Sequence, residues 1–225
     1  MKPQIVLDWD GTVTEVDGLH LVLLEFGDVR IYEEAEDRLG RELTLHEVIA
    51  LEFETVRAPL DEVVTWVREN VSVRPGFVEL ARAYRPLVVS SGFRELIEPV
   101  LERERIELEV RANRLDPRPD GWRALFRSAQ PCPVCGEPCK RADVSGMGSF
   151  VYVGDGVSDQ CVALAAARVF ARDGLARYLA EVGHPFEPFT DFDDLRTTLA
   201  GARGGRLGDP AARDRDASDR SSARR

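Results

Sequence analysis

The chain has 225 residues, enough for one large domain or for one core that carries an inserted subdomain. Hydrophobic residues make up 44% and charged residues 31%, which is ordinary for a globular protein, and the net charge of −10 argues against a nucleic-acid-binding protein, whose affinity depends on a basic surface. No apolar run approaches the length of a membrane span and the N-terminus has no signal-peptide pattern, so we expect a cytoplasmic protein that does not contact membranes.

The first predicted strand ends in two carboxylates. The apolar run of residues 5–7 is short enough for a buried strand, and Asp8, Asp10 and Gly11 follow it closely. Residues two apart on a strand point the same way, so Asp8 and Asp10 are expected on one face, where they repel each other unless a cation neutralises them or one holds a proton. A solvated Asp-Gly turn has the same local pattern, so this stretch alone leaves both interpretations open.

A helical segment follows the first strand. Apolar residues recur at helical spacing in four stretches that Gly27, Gly40 and Pro59 separate, and Thr44 with Glu47 has the pattern of a capping box. The four stretches cover residues 19–26, 31–39, 45–56 and 60–67. We therefore predict a small helical bundle over residues 16–72, inserted after the first strand.

The rest of the chain alternates strands and helices. Pro99 is predicted to kink or interrupt a helix over residues 93–105, Asp120-Gly121 is a turn signal inside a predicted hairpin over residues 113–128, and an alanine-rich helix is expected after Asp159. Strands are predicted over residues 87–89, 108–110, 150–153 and 169–170, with a weaker one over 186–189. This alternation favours an α/β fold with a parallel sheet flanked by helices.

Three of the predicted strand ends carry polar side chains. Because ligands of parallel α/β sheets bind at the carboxyl ends of the strands, we expect these side chains to converge. They are Asp8 and Asp10, Ser90, and Asp155 with Asp159. Carboxylate oxygens suit a hard cation such as Mg²⁺, and a serine beside a glycine supplies a hydroxyl and N–H groups for phosphate oxygens.

Lys140 is the candidate for a compact positive charge at this edge. Of the 30 basic residues only Lys2 and Lys140 are lysines, so an internal lysine in an arginine-rich chain indicates a requirement for an ammonium group. A chance lysine on a surface loop is the alternative, and for this residue taken alone it is the preferred one.

Three cysteines precede Lys140 at metal-ligand spacing. Cys132, Cys135 and Cys139 make a structural Zn²⁺ site one interpretation, and three free thiols in a loop the other. A structural zinc site needs four ligands, and Cys161 and His184 both stay open as the fourth. A disulfide is less expected in a cytoplasmic chain.

Four ordered motifs make the chain resemble the haloacid dehalogenase (HAD) superfamily of phosphatases. They are Asp8-Trp9-Asp10-Gly11-Thr12-Val13, Val88-Val89-Ser90-Ser91-Gly92-Phe93, Lys140 and Gly154-Asp155-Gly156-Val157-Ser158-Asp159. The helical insert resembles the cap of the phosphoserine-phosphatase group. Within that group the chain looks most similar to the methionine-salvage hydroxyketo-methylthiopentenyl-phosphate phosphatases, through residues 90–93, 112–115 and 170–173 and the cysteine-lysine step before the third motif.

The resemblance implies a three-layer, Rossmann-like α/β core with a small inserted α-helical cap. The core then comprises residues 1–15 and 73–200, and the cap residues 16–72. From position 201 onward the chain is mostly Gly, Ala, Arg, Asp and Ser without an apolar period, so we predict a disordered tail over residues 201–225.

The resemblance also implies a Mg²⁺-dependent hydrolysis of a small phosphomonoester through an aspartyl-phosphate. Asp8 would be the nucleophile and Asp10 the general acid and base. Mg²⁺ would be held by Asp8, the backbone carbonyl of Asp10 and Asp155, with Asp159 also in the metal site as its support. Phosphate contacts are implied for Ser90, Ser91, Gly92, Lys140, Gly11 and Thr12.

The inserted helices are expected to select the substrate. Asp17 lies where phosphoserine phosphatases have a glutamate that contacts the substrate amine, whereas Glu52 falls in the region where those enzymes bind the serine carboxylate with an arginine. A substrate with a polyol, keto or amine group is therefore favoured over phosphoserine, and Arg57 is a further candidate at this place. A phosphoserine phosphatase, a phosphatase of amino-alcohol phosphates, a phosphotransferase or mutase, and a silent phosphate-binding protein stay open as alternatives, and the oligomeric state is not predicted.

Overall fold

The first strand is apolar on both of its faces, and this places it in the middle of the protein. A computed structural model describes residues 3–201. Ile5 and Leu7 of strand β1 (Gln4–Leu7) pack into one hydrophobic cluster, and Val6 packs into a second cluster on the other side. A strand buried on both faces belongs to a parallel sheet that helices cover on both sides.

Within the described residues, seven strands form one sheet around β1. The other strands are β2 (Leu87–Phe93), β3 (Val110–Asp116), β4 (Arg123–Leu125), β5 (Phe150–Gly154), β6 (Arg168–Ala171) and β7 (Glu187–Pro188). Their order is β4-β3-β2-β1-β5-β6-β7, and all neighbours are parallel except β3 and β4. The predicted α/β fold with a mostly parallel sheet is thus confirmed.

Two strand predictions need correction in their bounds. The strand expected at 108–110 begins only at Val110, where pairing with Val88 of β2 starts, and it continues to Asp116 because β4 pairs with it from the other side. That antiparallel pair is the hairpin expected over residues 113–128. Strand β2 also runs four residues beyond its predicted end, through Ser90 to Phe93.

Nine α-helices accompany the sheet within residues 3–201. They are α1 (Gly18–Phe26), α2 (Val29–Arg38), α3 (Leu45–Phe53), α4 (Leu60–Asn70), α5 (Phe77–Tyr84), α6 (Arg94–Arg103), α7 (Gln160–Ala163), α8 (Asp173–Glu181) and α9 (Phe192–Gly201). Helices α1 to α4 match the four predicted stretches, and the capping box of Thr44 and Glu47 begins α3 as predicted. The division into core and cap stays a prediction.

Three helix predictions differ from the structure. Helix α6 runs through Pro99 without interruption. The alanine-rich helix after Asp159 is a single turn, because the chain must enter β6 five residues later. Helix α5 was not predicted, although its buried residues Phe77, Leu80 and Ala81 have helical spacing.

The chain leaves the sheet region and returns to it at one place. Thr14, after β1, forms an antiparallel bridge with Val73, and the Glu15 N–H donates to the Ser72 carbonyl at 3.0 Å. The two chain segments that connect the predicted 16–72 insert to the rest of the protein therefore lie side by side and are hydrogen-bonded to each other. The predicted tail lies outside the described residues except Gly201, which ends α9, and no helix within residues 3–201 is long and apolar enough to cross a membrane.

Arg74 holds the loop that follows β1. Its side chain is only 9% exposed, and its guanidinium donates to the carbonyl oxygens of Thr12 at 3.1 Å, Gly11 at 2.9 Å and Thr14 at 3.1 Å. These carbonyls lie in a tight turn without strand partners, so the arginine supplies the donors that a sheet would otherwise provide. The sequence analysis did not predict this role.

Replacing Arg74 tests how much this clamp contributes. Arg74→Met keeps the apolar stem but leaves several carbonyls without a donor, so we expect the free energy of unfolding to fall by about 2–3 kcal/mol. Urea denaturation measures it, with Arg82→Met on the exposed face of α5 as the matched control. Equal stability of the two variants would contradict the clamp.

Candidate active site

The carboxyl ends of three strands bring together the side chains that the sequence placed there. Asp8 follows β1, Ser90 lies in β2, and Asp155 follows β5, which pairs with β1. A 3₁₀ turn at Lys140–Val144 delivers Lys140 to the same edge. Residues that are up to 151 positions apart in sequence, Asp8 and Asp159, thus share one lysine.

Lys140 is buried and bridges two carboxylates. Its Nζ donates to Asp8 Oδ1 at 2.5 Å and to Asp159 Oδ1 at 2.7 Å, and the residue is 1% exposed. Burial alone would lower the pKa of Lys140, but the two carboxylates outweigh it and raise the pKa above its ordinary value. The interpretation of Lys140 as a chance surface residue is therefore wrong.

Asp159 uses both of its oxygens within the protein. Oδ1 accepts from Lys140 and, at 2.6 Å, from the Tyr152 hydroxyl; Oδ2 accepts from the backbone N–H groups of Asp155 at 2.9 Å and Gly156 at 3.0 Å. Burial would raise the pKa of Asp159, but Lys140 and these donors hold it below its ordinary value. Asp159 is thus an ionised, fully bonded support. Tyr152 was missed, although a tyrosine inside an apolar strand signals a buried hydroxyl that needs a partner.

The negative charge on Asp159 affects the pKa values of its neighbours Asp8 and Asp155. Burial, and then the Asp159 carboxylate, raise the pKa of Asp8 well above its ordinary value although Lys140 opposes them, and the same two causes raise the pKa of Asp155 to about 6. One carboxylate oxygen from each of these three residues lies within 4.8 Å of the others. Two buried carboxylates and a half-buried one, with a single lysine, leave excess negative charge, which a divalent cation would neutralise.

Gly11 and Thr12 support Asp155. The Thr12 hydroxyl donates to Asp155 Oδ1 at 2.6 Å, and Gly11 has a φ of +74°. A Cβ on Gly11 would lie 2.5 Å from Asp155 Oδ2, so only glycine allows this approach. The Gly11 N–H donates to the Thr14 hydroxyl oxygen at 3.0 Å, and the phosphate contacts that the resemblance implies for Gly11 and Thr12 stay a prediction.

Asp10 lies beside Ser90 and Gly92. The Ser90 hydroxyl donates to Asp10 Oδ2 at 3.3 Å and accepts from the Gly92 N–H at 2.8 Å, so that N–H is already bonded. A Cβ on Gly92 would lie 2.7 Å from Asp10 Oδ2. Burial, followed by the Asp17 carboxylate, raises the pKa of Asp10 to about 8, so Asp10 holds a proton at neutral pH.

A second layer of polar residues supports the end of β2. The guanidinium of Arg127 donates to the Ser90 carbonyl at 2.8 Å and forms an ion pair with Asp143, and the Asn113 side-chain amide donates to the Ser91 carbonyl at 2.8 Å. Asn113 belongs to the stretch 112–115 that resembles the methionine-salvage phosphatases, but no role was predicted for it. Arg127 was not predicted at all. Nothing in the spacing of Arg127 distinguishes it from other arginines.

A cavity of about 180 Å³ opens between these residues and the inserted helices. Its lining includes Asp8, Asp10, Asp17 and Glu52, together with Ser90 and Ser91. Arg57 does not line it: it is exposed and borders another groove, beside Asp28, because the chain has left α3 by this point. The prediction of Arg57 at the site is therefore wrong.

Glu52 is the unusual residue of this cavity. It is 5% exposed, and within residues 3–201 its Oε1 has no hydrogen-bond partner. Burial, and then the Glu36 and Asp17 carboxylates, raise its pKa to about 8. A buried polar atom without a protein partner is costly, and in this cavity a water molecule or a ligand can supply the partner.

Comparison with known proteins agrees with this arrangement. A sequence model of the haloacid dehalogenase-like hydrolases matches residues 5–164. The chain belongs to that family. This hydrolase is 29% identical, over 87% of its chain and 95% of the relative, to a 2-hydroxy-3-keto-5-methylthiopentenyl-1-phosphate phosphatase of Geobacillus thermodenitrificans.

Solved structures share the fold of this hydrolase. A phosphoserine phosphatase from T. onnurineus superposes with a TM-score of 0.64 at 21% identity, covering 88% of this chain and 94% of the other. A HAD family hydrolase from Salmonella enterica superposes with a TM-score of 0.70 at 14% identity, covering 88% and 72%. The HAD-like fold predicted from the four motifs is thereby confirmed.

Lys140→Arg tests the fit of the ammonium group. A guanidinium is wider and planar, so it cannot lie between Asp8 and Asp159 without displacing one of them. Overpacking of this kind costs about 1–3 kcal/mol of unfolding free energy, and turnover should fall on the order of 10²-fold. Denaturation and steady-state kinetics measure both, with Arg82→Lys as a surface control. Unchanged stability and rate would show that the site does not require an ammonium.

Proposed function

We propose that this hydrolase cleaves a small phosphomonoester through a phosphorylated Asp8. The observation that carries the proposal is the buried bridge in which Lys140 contacts both Asp8 and Asp159 at the carboxyl edge of the sheet. A carboxylate attacks phosphorus only when it is ionised, and Lys140 favours that form while offering positive charge to the incoming phosphoryl oxygens.

The two carboxylates after β1 have different tasks. In the first step an Asp8 oxygen attacks phosphorus, the bond from phosphorus to the ester oxygen breaks, and Asp10 gives its proton to the leaving alkoxide. In the second step Asp10 takes a proton from water, the water oxygen attacks phosphorus, and the bond to Asp8 breaks to release inorganic phosphate. Ser90, which donates to Asp10, holds the acid in place between the steps.

The phosphoryl group is bound by the end of β2 and by Lys140. Ser90 and Ser91 line the cavity together with Asp8, and Lys140, which is not part of that lining, donates to the Asp8 carboxylate. Gly92 contributes by having no side chain, since a Cβ there would crowd Asp10. The phosphate contacts of Gly11 and Thr12 are part of the same proposal.

The carboxylate set fits Mg²⁺. Asp8, Asp155 and the backbone carbonyl of Asp10 would hold the ion, while Asp159, whose two oxygens are occupied, positions Lys140 and the Asp155 backbone. When bound, Mg²⁺ supplies positive charge that neutralises the carboxylates and the phosphate oxygens. Burial and the Asp159 carboxylate raise the pKa values of Asp8 and Asp155, and a bound cation would lower them and so keep both groups ionised.

The cavity favours a substrate without an anionic group at its far end. The resemblance implies that Glu52 takes the place of the residue that binds the phosphoserine carboxylate, and a carboxylate in this cavity would face Glu52, Glu36 and Asp17 together. Apolar side chains complete the lining, among them Leu19, Leu23, Leu45 and Ile49. This combination disfavours phosphoserine.

The substrate that fits best is 2-hydroxy-3-keto-5-methylthiopentenyl-1-phosphate, the phosphate ester after which the Geobacillus thermodenitrificans phosphatase is named. A protonated Glu52 can donate a hydrogen bond to the keto oxygen, and the apolar lining suits the methylthio end. Three of the carboxyl groups that line the cavity, Asp17, Glu36 and Glu52, favour a second candidate, the phosphate ester of an amino alcohol, whose ammonium they would neutralise.

A panel of phosphomonoesters tests the function. Purified protein is given the keto substrate, phosphoserine, phosphoethanolamine and p-nitrophenyl phosphate, and inorganic phosphate is measured with and without an added acceptor alcohol. We expect phosphate release that exceeds any transfer to the acceptor. Transfer without release would instead identify a phosphotransferase, and no turnover of any ester would contradict the proposal.

Replacing the nucleophile should abolish turnover and preserve the fold. Asp8→Asn keeps the shape of the side chain but removes the attacking charge, so hydrolysis of p-nitrophenyl phosphate should fall by more than about 10³-fold. Asp120→Asn, in the exposed β3–β4 turn, is the matched control and should retain full activity. A thermal melt confirms that both variants are folded. Substantial turnover by Asp8→Asn would exclude Asp8 as the nucleophile.

Chelation should stop the reaction reversibly. Exhaustive EDTA treatment is expected to abolish phosphate release, Mg²⁺ to restore it, and Ca²⁺ to restore it poorly, because the larger ion prefers more ligands in a looser shell. Release of phosphate at the original rate by the metal-free protein would argue against the carboxylate site described above.

Glu52→Gln distinguishes the two substrate classes. The amide still donates a hydrogen bond, so activity on the keto substrate should change less than about threefold at pH 7. KM for an amino-alcohol phosphate should rise on the order of 10-fold, because the amide cannot give up a proton and pair with the bound ammonium as a carboxyl can. Since the pKa of Glu52 is raised, ionisation destabilises the folded state as pH rises toward 8, and the variant should resist unfolding better there than wild type. Glu62→Gln on α4 is the exposed control.

A further inference from the structure

The four cysteines of the chain meet at one place beside the active site. Cys132, Cys135 and Cys139 lie in the loop between β4 and the 3₁₀ turn, and Cys161 lies on α7. Their Sγ atoms are all within 4.8 Å of one another, with 3.8 Å between Cys132 and Cys161 and 3.5 Å between Cys135 and Cys139. All four are free thiols.

These distances fit a single tetrahedral ion. Four sulfur atoms around Zn²⁺, each at about 2.3 Å, lie about 3.8 Å apart, whereas a disulfide needs about 2.05 Å. One backbone N–H of the loop is directed at a sulfur atom of the cluster, since the Val134 N–H donates to Cys132 Sγ at 3.4 Å. Such a donor favours the thiolate that a soft metal binds.

We propose that Cys132, Cys135, Cys139 and Cys161 bind one Zn²⁺ as a structural four-thiolate site. The sequence alone left Cys161 and His184 open as the fourth ligand, and the structure places Cys161, and not His184, within reach of the other three. A set closed by four protein ligands has no position for substrate, so the ion has a structural task.

The position of the zinc site indicates which part of the protein it stabilises. Cys139 directly precedes Lys140, and Cys161 lies two residues after Asp159, so the ion joins the two chain segments that carry this ion pair. Apart from the ion, these segments are linked by Arg141, which donates to the Cys161 carbonyl at 2.9 Å. The zinc site therefore positions Lys140 between Asp8 and Asp159.

Metal content tests the site without reference to activity. Wild-type protein, purified without chelators, should contain one Zn²⁺ per chain, and Co²⁺ substitution should produce the intense visible and thiolate charge-transfer bands of a tetrahedral sulfur site. Cys161→Ser and Cys135→Ser should each lose the metal, whereas Val134→Ser, which introduces serine into the same loop, should keep it. Wild-type protein with less than a tenth of an equivalent of Zn²⁺, or with a disulfide among these cysteines, would overturn the proposal.

Kinetic coupling tests the positioning of Lys140 and rests on the proposed phosphatase activity. Measured below the melting temperatures of all variants, Cys135→Ser should lower kcat at least tenfold, and Lys140→Ala should lower it further. If the ion acts through Lys140, the double variant should be no slower than Lys140→Ala alone. Multiplicative losses in the double variant would reject the positioning role, while the metal content would still decide whether the zinc site exists.

Discussion

A single buried ammonium group shared by two carboxylates is the interaction on which this active site depends. Each buried ion would cost several kcal/mol if left alone, so Lys140, Asp8 and Asp159 are tolerable only as a set with further donors around them. Tyr152 and two backbone N–H groups supply those donors to Asp159. The pairing of β1 with β5 meets this requirement, because it brings the first and last carboxylates to the same lysine.

The sequence predicted the parts of the site whose chemistry is local. Carboxylates at strand ends and a lone internal lysine could be recognised, because parallel strands align their carboxyl ends and because the motifs follow in order. Arg74 and Arg127 could not, since both bind backbone carbonyls of segments far away in sequence, and no periodicity records such a contact. Pro99 was over-interpreted, because the packing of α6 against the sheet tolerates one missing hydrogen bond.

The residues predicted to select the substrate show that a prediction from one sequence can miss the cavity by less than two helical turns. Glu52 and Arg57 are five residues apart, yet only Glu52 lines the cavity, because α3 ends at Phe53 and the chain then turns away. A buried acid without a partner lowers the stability of the free protein. Its place in the lining of the cavity therefore costs folding free energy, and the proposed role of Glu52 in substrate recognition gives a reason to keep it.

The paired segments at Thr14 and Val73 also bear on how such a protein can diversify. Because the chain leaves and re-enters the core at adjacent points, an insert of another length closes the same loop, and the entropy of closure changes only slowly with its length. The charged residues Lys140, Asp8 and Asp159 lie outside the insert. Arg74, just after the point of re-entry, holds the carbonyls of Gly11 and Thr14 at the point where the chain leaves. The predicted 16–72 insert could therefore be lengthened or exchanged without moving the charged residues at the carboxyl edge of the sheet.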